Sequence, residues 1–446
     1  MAHQSTPGAP APATADIPPR RRPNVRLRAL LQEARWSGDA LAAAVNAVGR
    51  ENGLDLCYRR PSVAQWLAGS IPRDPVPPIV AEAFTRRLRR GVTIEELGLM
   101  PRSGLPGPRS GGTSDDAAAS HPGAPYRLSA LAEIPDRVTG TEYLQIRSPA
   151  PSRLLAPHVQ AAGNTLALFS RVDHHLGAGA VREQATAYFE LTIRPWLALP
   201  GTDAHRHALL QRAAGLAYLC GFANFDEWRH GEAQRWYRLS AALADEAADA
   251  RALALALRAL SVQALELGHP GPALDRAGAA LRAGQHLPDS RAFLLGQYAV
   301  ALAARGRPDD ALRAVEGAED ALPGATASAP TGCYHAATLA YQRGEVHRRL
   351  GNLPAAVTSL RTSLRLRPGA ERRSQALVHA RLAETLAARG QLEEACASWQ
   401  EFVSLRYQVD SARVERAAGR MRSVLLAQRH RGEAERLLAA LRVGRR

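Results

Sequence analysis

Lysine is absent from this 446-residue chain: all 57 basic residues are arginine, set against 42 acids for a net charge of +15. Alanine and proline are abundant as well, a composition that tracks GC-rich codons, so the position of the arginines says more than their number. Cysteine is scarce. Cys57, Cys220, Cys333 and Cys396 are scattered with no CxxC and no histidine at metal-ligand spacing. A disulfide framework is not expected in so large and cysteine-poor a chain, and reduced thiols in a cytoplasm are. No apolar run reaches the roughly 18 residues that a transmembrane helix needs, so no membrane partner is expected. Residues 1–19, rich in Ala and Pro, lack the apolar core of a signal peptide and read as a disordered tail. Walker A, GxSxG, HExxH and Rossmann fingerprints are missing too, and nothing argues for an enzyme or a cofactor.

The charge that is present is placed unevenly. Residues 20–102 hold 15 Arg against 8 acids and residues 406–446 hold 11 against 4, leaving the rest close to neutral. An electropositive first end fits contact with a polyanion. Residues 101–125, dense in Gly, Pro and Ser, read as a flexible linker. The expected organisation is a DNA-binding domain over 20–100, the linker, a helical connecting region over 126–204 and a repeat domain over 205–446.

Within the first domain, Arg59-Arg60-Pro61-Ser62-Val63-Ala64-Gln65-Trp66-Leu67-Ala68-Gly69 reads as one short helix. Pro61 suits a first helical position, where its missing N–H would be unsatisfied anyway, and Gly69 suits the residue past the end. Val63, Trp66 and Leu67 make one apolar face; Ser62 and Gln65 lie off it. Apolar stripes at Leu27, Leu30, Leu31 and Ala34, at Leu41, Ala44, Val45 and Val48, and at Val80, Ala83, Phe84 and Leu88 predict four or five short helices, with this one third in order. Ser37-Gly38-Asp39 supplies a cap between the first two. On these residues the segment resembles the repressor-like helix-turn-helix family. The resemblance implies that Arg59, Arg60, Ser62 and Gln65 face double-stranded DNA, the arginines on phosphate and Gln65 on adenine edges. Leu67 stands where that family usually carries an acid, and residues 50–60 make a longer connection than its short turn. A domain that no longer reads DNA is therefore the alternative.

The second half repeats itself. Gly-x-x-x-x-Ala recurs at Gly268/Ala273, Gly306/Ala311, Gly351/Ala356 and Gly390/Ala395, and Ala233 and Ala434 extend the series without the glycine. The glycine ends one helix, and the small alanine lets the next pack closely. This resembles the tetratricopeptide repeat. Small residues stand at further expected positions (Ser261, Ala299, Gly344 and Ala383, then Ala280, Ala318 and Ser363), with Phe402 the departure. The expected fold class is all-α, an N-terminal helix-turn-helix domain joined by a flexible linker to a tetratricopeptide-like α-solenoid, with an unrelated helical bundle as the alternative.

Such stacks present a concave face built from the first helix of each pair. By the resemblance, that face carries Leu255, Arg258, Val262 and Leu265, then Phe293, Gly296, Val300 and Ala303. Thr338, Tyr341, Glu345 and Arg348 follow, then Leu377, Ala380, Glu384 and Ala387. Arg258, Phe293, Tyr341, Glu345, Arg348 and Glu384 are the candidate residues for a peptide, small molecule or protein. Arg348 is foremost, because a guanidinium holds a carboxylate or phosphate bidentately. The two-part architecture resembles peptide-pheromone regulators of Gram-positive bacteria and regulators of actinobacterial differentiation. It implies a cytoplasmic transcriptional regulator whose repeats sense a ligand or partner. The groove asparagines of the pheromone receptors are missing, since the repeat region holds only Asn224 and Asn352. A scaffold that binds proteins through its repeats is the alternative, and a homodimer is compatible with either. Asp173-His174-His175 is the one dense group of metal-type residues. Neighbours on a helix diverge and Gly177 and Gly179 follow, so a helix end is expected there and no metal.

Overall fold

The computed structural model describes residues 23–99, 125–132, 153–324, 328–329, 332–428 and 432–443. The tail over 1–19, the linker as far as 124 and part of the connecting region lie outside the described residues. Two compact units are present, one of residues 23–46 and 56–99, the other of residues 47–55 and those from 125 on. Both are helical. One short hairpin, β1 (Ser328–Ala329) with β2 (Gly332–Cys333), is the exception among the described residues. No helix among them is long and apolar enough to cross a membrane.

The first unit contains α1 (Val25–Ala34), α2 (Gly38–Glu51) as far as Asn46, α3 (Arg60–Leu67), α4 (Val76–Leu88) and α5 (Ile94–Leu97). Leu27, Leu30, Leu31, Val63, Trp66, Val80 and Phe84 form its buried interior. Asn24 joins three elements through one side chain. Its Oδ1 accepts from Leu27 N (3.0 Å) and caps α1, while its amide donates to the Leu97 carbonyl (2.8 Å). Its backbone N–H donates to Leu67 O at 2.9 Å. Three orphan helix-end groups are thereby satisfied at one residue.

In the second unit a short α6 (Ser129–Ala132) precedes α7 (Ala156–Leu176). Then come α8 (Arg182–Tyr188), a π-helical turn at Phe189–Ile193, and α9 (Arg194–Leu197). Six antiparallel pairs follow: α10 (Asp203–Asp226) with α11 (His230–Glu246), α12 (Ala250–Glu266) with α13 (Pro270–Ala283), and α14 (Pro288–Ala304) with α15 (Pro308–Ala321). The last three are α16 (Ala336–Arg349) with α17 (Leu353–Leu366), α18 (Arg372–Ala388) with α19 (Leu392–Arg406), and α20 (Ala412–Ala427) with α21 (Gly432–Val443). Each packs on the next, which makes a tetratricopeptide-like α-solenoid. The connecting helices share its interior: Ala162, Ala185, Phe189 and Ile193 pack in one core with Leu216, Trp236 and Leu257.

The repeat signature has a physical basis at every turn. Ala233, Ala273, Ala311, Ala356, Ala395 and Ala434 are all at 0% exposure, so any larger side chain would push a pair apart. Gly268, Gly306, Gly351 and Gly390 have φ between +70 and +83. At Gly268, N–H groups return to Leu265 O (3.1 Å) and, from His269, to Ala264 O (2.8 Å), which satisfies the last carbonyls of α12. In the first pair Trp228 takes the same position at φ +60, with the same two return bonds from Trp228 and Arg229. The longer alanine spacing from 311 to 356 reflects the β1–β2 hairpin inserted between α15 and α16.

The stack also turns back on itself. Asp410 N donates to Leu176 O (2.7 Å), Gly179 N to Asp410 O (3.2 Å), and Ala412 N to Glu227 Oε1 (3.1 Å). α7 ends at Leu176, as the glycines after it require. A Cβ on Gly177 would lie 2.2 Å from the Asp410 carbonyl oxygen, and one on Gly179 2.3 Å from its carboxyl group. Only glycine admits so close a strand of backbone.

Candidate functional site

Helical spacing puts Arg258, Val262 and Leu265 on one face of α12, and Thr338, Tyr341 and Glu345 on one face of α16. Because the coil closes, these faces look inward on a cavity of about 310 Å3. Tyr218, Phe222 and Phe225 of α10, Tyr237 of α11, Phe293 and Val300 of α14, and Leu377 of α18 complete its apolar wall. Its charged lining is lopsided: Arg258, Arg349, Arg367, Arg373, Arg381 and Arg413 against Glu266, Glu345 and Glu371.

The arginines differ in how they are held. Arg373 is bidentate on the buried Asp173 (2.8 and 3.0 Å), with Asp226 at 3.6 Å and the Phe222 ring 4.6 Å away. Arg413 stands 3.7 Å from Asp226 and over Phe225. These four charges join α7 and α10 to α18 and α20, and so clamp the closure. Burial pushes the Asp226 carboxyl up, against the pull of Arg373 and Arg413. Arg381 pairs with Glu345 (2.8 Å) and Glu384 (2.7 Å). Arg367 pairs with Glu371 (2.7 Å), whose other oxygen is 2.6 Å from His335 Nε2. Arg258 is different. Among the described residues it has no carboxylate partner; its guanidinium lies 3.6 Å from the Phe293 ring centre and its Nε donates to Phe293 O at 3.4 Å. Burial draws it below the usual arginine range, offset in part by the phenols of Tyr218, Tyr334 and Tyr237.

Of the six candidate ligand residues, Arg258, Phe293, Tyr341 and Glu345 line the cavity, and Arg348 and Glu384 do not. Arg348 instead lies against Glu345, with Nε to Oε1 at 3.2 Å and Nη2 to Oε2 at 3.0 Å. Arg348, the foremost candidate, thus lies off this wall, with its fork on an acid of its own helix. Burial alone would raise the Glu345 carboxyl, but Arg381, Arg348 and Arg349 together hold it down at about 2. Glu384 is taken by Arg381 and by Arg420 (2.8 Å). Leu255, Ala303 and Ala380, expected on the concave face, are buried in the inter-helix core. Asn224 bonds Cys220 O and Asn352 caps α17, so both asparagines serve the scaffold. Arg373 and Arg413 escaped the sequence reading, since their partners lie about half a chain away.

In the first unit α3 exposes Arg59, Arg60 and Gln65, leaves Ser62 half-buried, and buries Val63 and Trp66. Neither arginine has an acidic partner among the described residues. The tight turn of the resembled family is replaced by residues 52–59, which are fixed at one end by Asn46. Its amide donates to Tyr58 O and its Oδ1 accepts from Tyr58 N, both at 2.9 Å. Tyr58 then meets Trp66 edge-on at 5.0 Å.

No curated protein matches the chain. The chain is similar to solved helical structures, among them the following three. BtubC (BKLC) from P. vanneervenii is 15% identical over 57% of this chain and 92% of that one, with a TM-score of 0.33. The Cut9–Hcn1 hetero-tetramer of APC/C is 16% identical over 63% and 46%, at 0.34. The human IFIT1 dimer with PPP-AAAA is 15% identical over 63% and 64%, at 0.35. The assignment of the repeat fold rests on the helix pairs described above. Residues 27–100, which run from within α1 to just past α5, match the family described as SP15 N-terminal domain.

Proposed function

We propose that this protein is an adaptor without catalytic chemistry, one that receives an anionic group of a partner inside its tetratricopeptide-like coil. The observation that carries this reading is the cavity wall, where six arginines lie between aromatic side chains and one of them, Arg258, has no carboxylate partner among the described residues. Guanidinium groups in such a setting bind carboxylates or phosphates through charge-assisted hydrogen bonds. Calorimetric titration of the intact protein with an acidic and a basic peptide of equal length tests it. The acidic peptide should bind, with an affinity that falls as salt is raised, and the basic one should not. Equal binding of both sinks the reading.

A second reading concerns the first unit, and the exposed Arg59, Arg60 and Gln65 favour it. On this reading α3 contacts duplex DNA, and the chain is a transcriptional regulator. Gln65→Ala should relax base preference at one position at a cost of about 1–3 kcal/mol. Arg59→Ala or Arg60→Ala should weaken all duplexes about equally and lower the salt dependence. DNA binding by all three variants that matches the parent would remove α3 as the reader.

A further inference from the structure

Arg258 breaks a rule that the rest of the cavity obeys. Each other arginine of the wall stands within 4 Å of a carboxylate oxygen. Arg258 is partly withdrawn from solvent, makes one long hydrogen bond through Nε, and leaves the remaining donors of its fork uncommitted among the described residues, at the cavity. A desolvated cation without a counter-charge is costly, and structures retain one where something else supplies the charge. Its surroundings are also built with care. Phe293 stacks beneath it, and Tyr334 lies 4.9 Å from Phe293, fixed by donating to Gln342 Oε1 at 2.8 Å. Gly296 leaves room for that pair: a Cβ there would fall 2.0 Å from Gln342 Oε1 and 2.8 Å from the Tyr334 oxygen.

We propose that Arg258 anchors a subsite for a compact monoanionic head, a carboxylate or a phosphodiester, carried on an aromatic or branched apolar body. The assignment rests on the adaptor reading above and narrows it. One free cation matches one negative charge, because a second would be buried without a partner. Val262, Val300 and Phe293 supply apolar walls for the body. Of a partner, only such a head enters the subsite; the main chain of an extended peptide is less suited to run through it. Its alternating N–H and C=O groups need amide side chains to replace water, and here those are already engaged. Gln297 donates to Ser261 Oγ (3.0 Å), and Gln342 accepts from Tyr334. At about 310 Å3 the cavity suits a ligand of few heavy atoms.

The test uses the intact protein with phenylacetate, the diester methyl phenyl phosphate and the neutral 2-phenylethanol as probes. Binding is followed by ligand-observed NMR and by thermal shift. At least one of the two anions should bind at least about tenfold tighter than the alcohol, and Arg258→Met should abolish that preference. The head group preferred by the wild type distinguishes the carboxylate from the phosphodiester. Without ligand, Arg258→Met should melt several degrees higher than wild type, since it removes an uncompensated charge from an apolar setting. Equal affinity for anions and alcohol overturns the proposal, as does an anion preference that survives Arg258→Met. A lower melting temperature in the variant would make Arg258 a structural residue and overturn it as well. Acidic peptide that binds where no aryl anion does would sink this subsite and leave the adaptor reading standing. Failure of both probes removes the two together.

Discussion

Glu345→Gln should lower the stability of the repeat unit by about 3 kcal/mol, read from the urea midpoint at neutral pH. The carboxylate is 4% exposed and lies at the centre of three arginines: Arg381 at 2.8 Å, Arg348 at 3.0 Å and Arg349 at 3.9 Å. Removing it leaves those charges facing one another in a buried setting. The same group predicts a pH profile. Its pKa falls from 4.5 to about 2 on folding, because the arginines outweigh burial. A carboxyl depressed by folding contributes fully above its unfolded value and loses that contribution as pH falls through the folded one. Wild type should therefore weaken between about pH 4.5 and 2, and Glu345→Gln should show a flatter profile in that window. Superimposable profiles would mean that Glu345 is not the ion that holds α16 to α18.

Arg373→Met should cost about 3–5 kcal/mol, and its effect should be felt at two distant segments. Asp173 and Asp226, both fully buried, would lose the guanidinium that bridges them, leaving only Arg413 at 3.7 Å from Asp226. Repulsion between the two carboxylates would then push α7 from α10, and both would lose their tie to α18. Amide hydrogen exchange should rise together in residues 173–179 and 408–413, where the closing backbone bonds lie. Loss of protection confined to α18 would show that the clamp is local and that the closure stands without it.

What could be read in the sequence was local. The turn glycines and their alanines mark the pairs because backbone sterics and close packing act within five residues, and the buried stripes of α1 and α4 follow from helical period alone. Trp228 was not recognisable as a turn residue, since a bulky side chain at positive φ has no sequence signature. Arg348 lies apart for a geometric reason. The register gives the concave face of an open stack, whereas closure leaves Arg348 just off the wall, paired with its own helix. The Asp173–Arg373 bond lies beyond any periodicity, because its partners are 200 residues apart. Gly177 and Gly179 mark a helix end in the sequence, yet the backbone of Asp410 that makes them necessary leaves no trace there.

Repeat proteins commonly change length by gaining or losing a unit, since each unit touches only its neighbours. This coil has no such freedom. Its closing bonds run from the loop after α7 to the loop before α20, so the count of pairs between them is part of the geometry. Duplicating or deleting any one of those pairs would carry Arg373 and Asp410 a full step along and around the superhelix, away from Asp173 and Gly179. Growth or shortening in descendants of this chain is thereby confined to segments outside the ring.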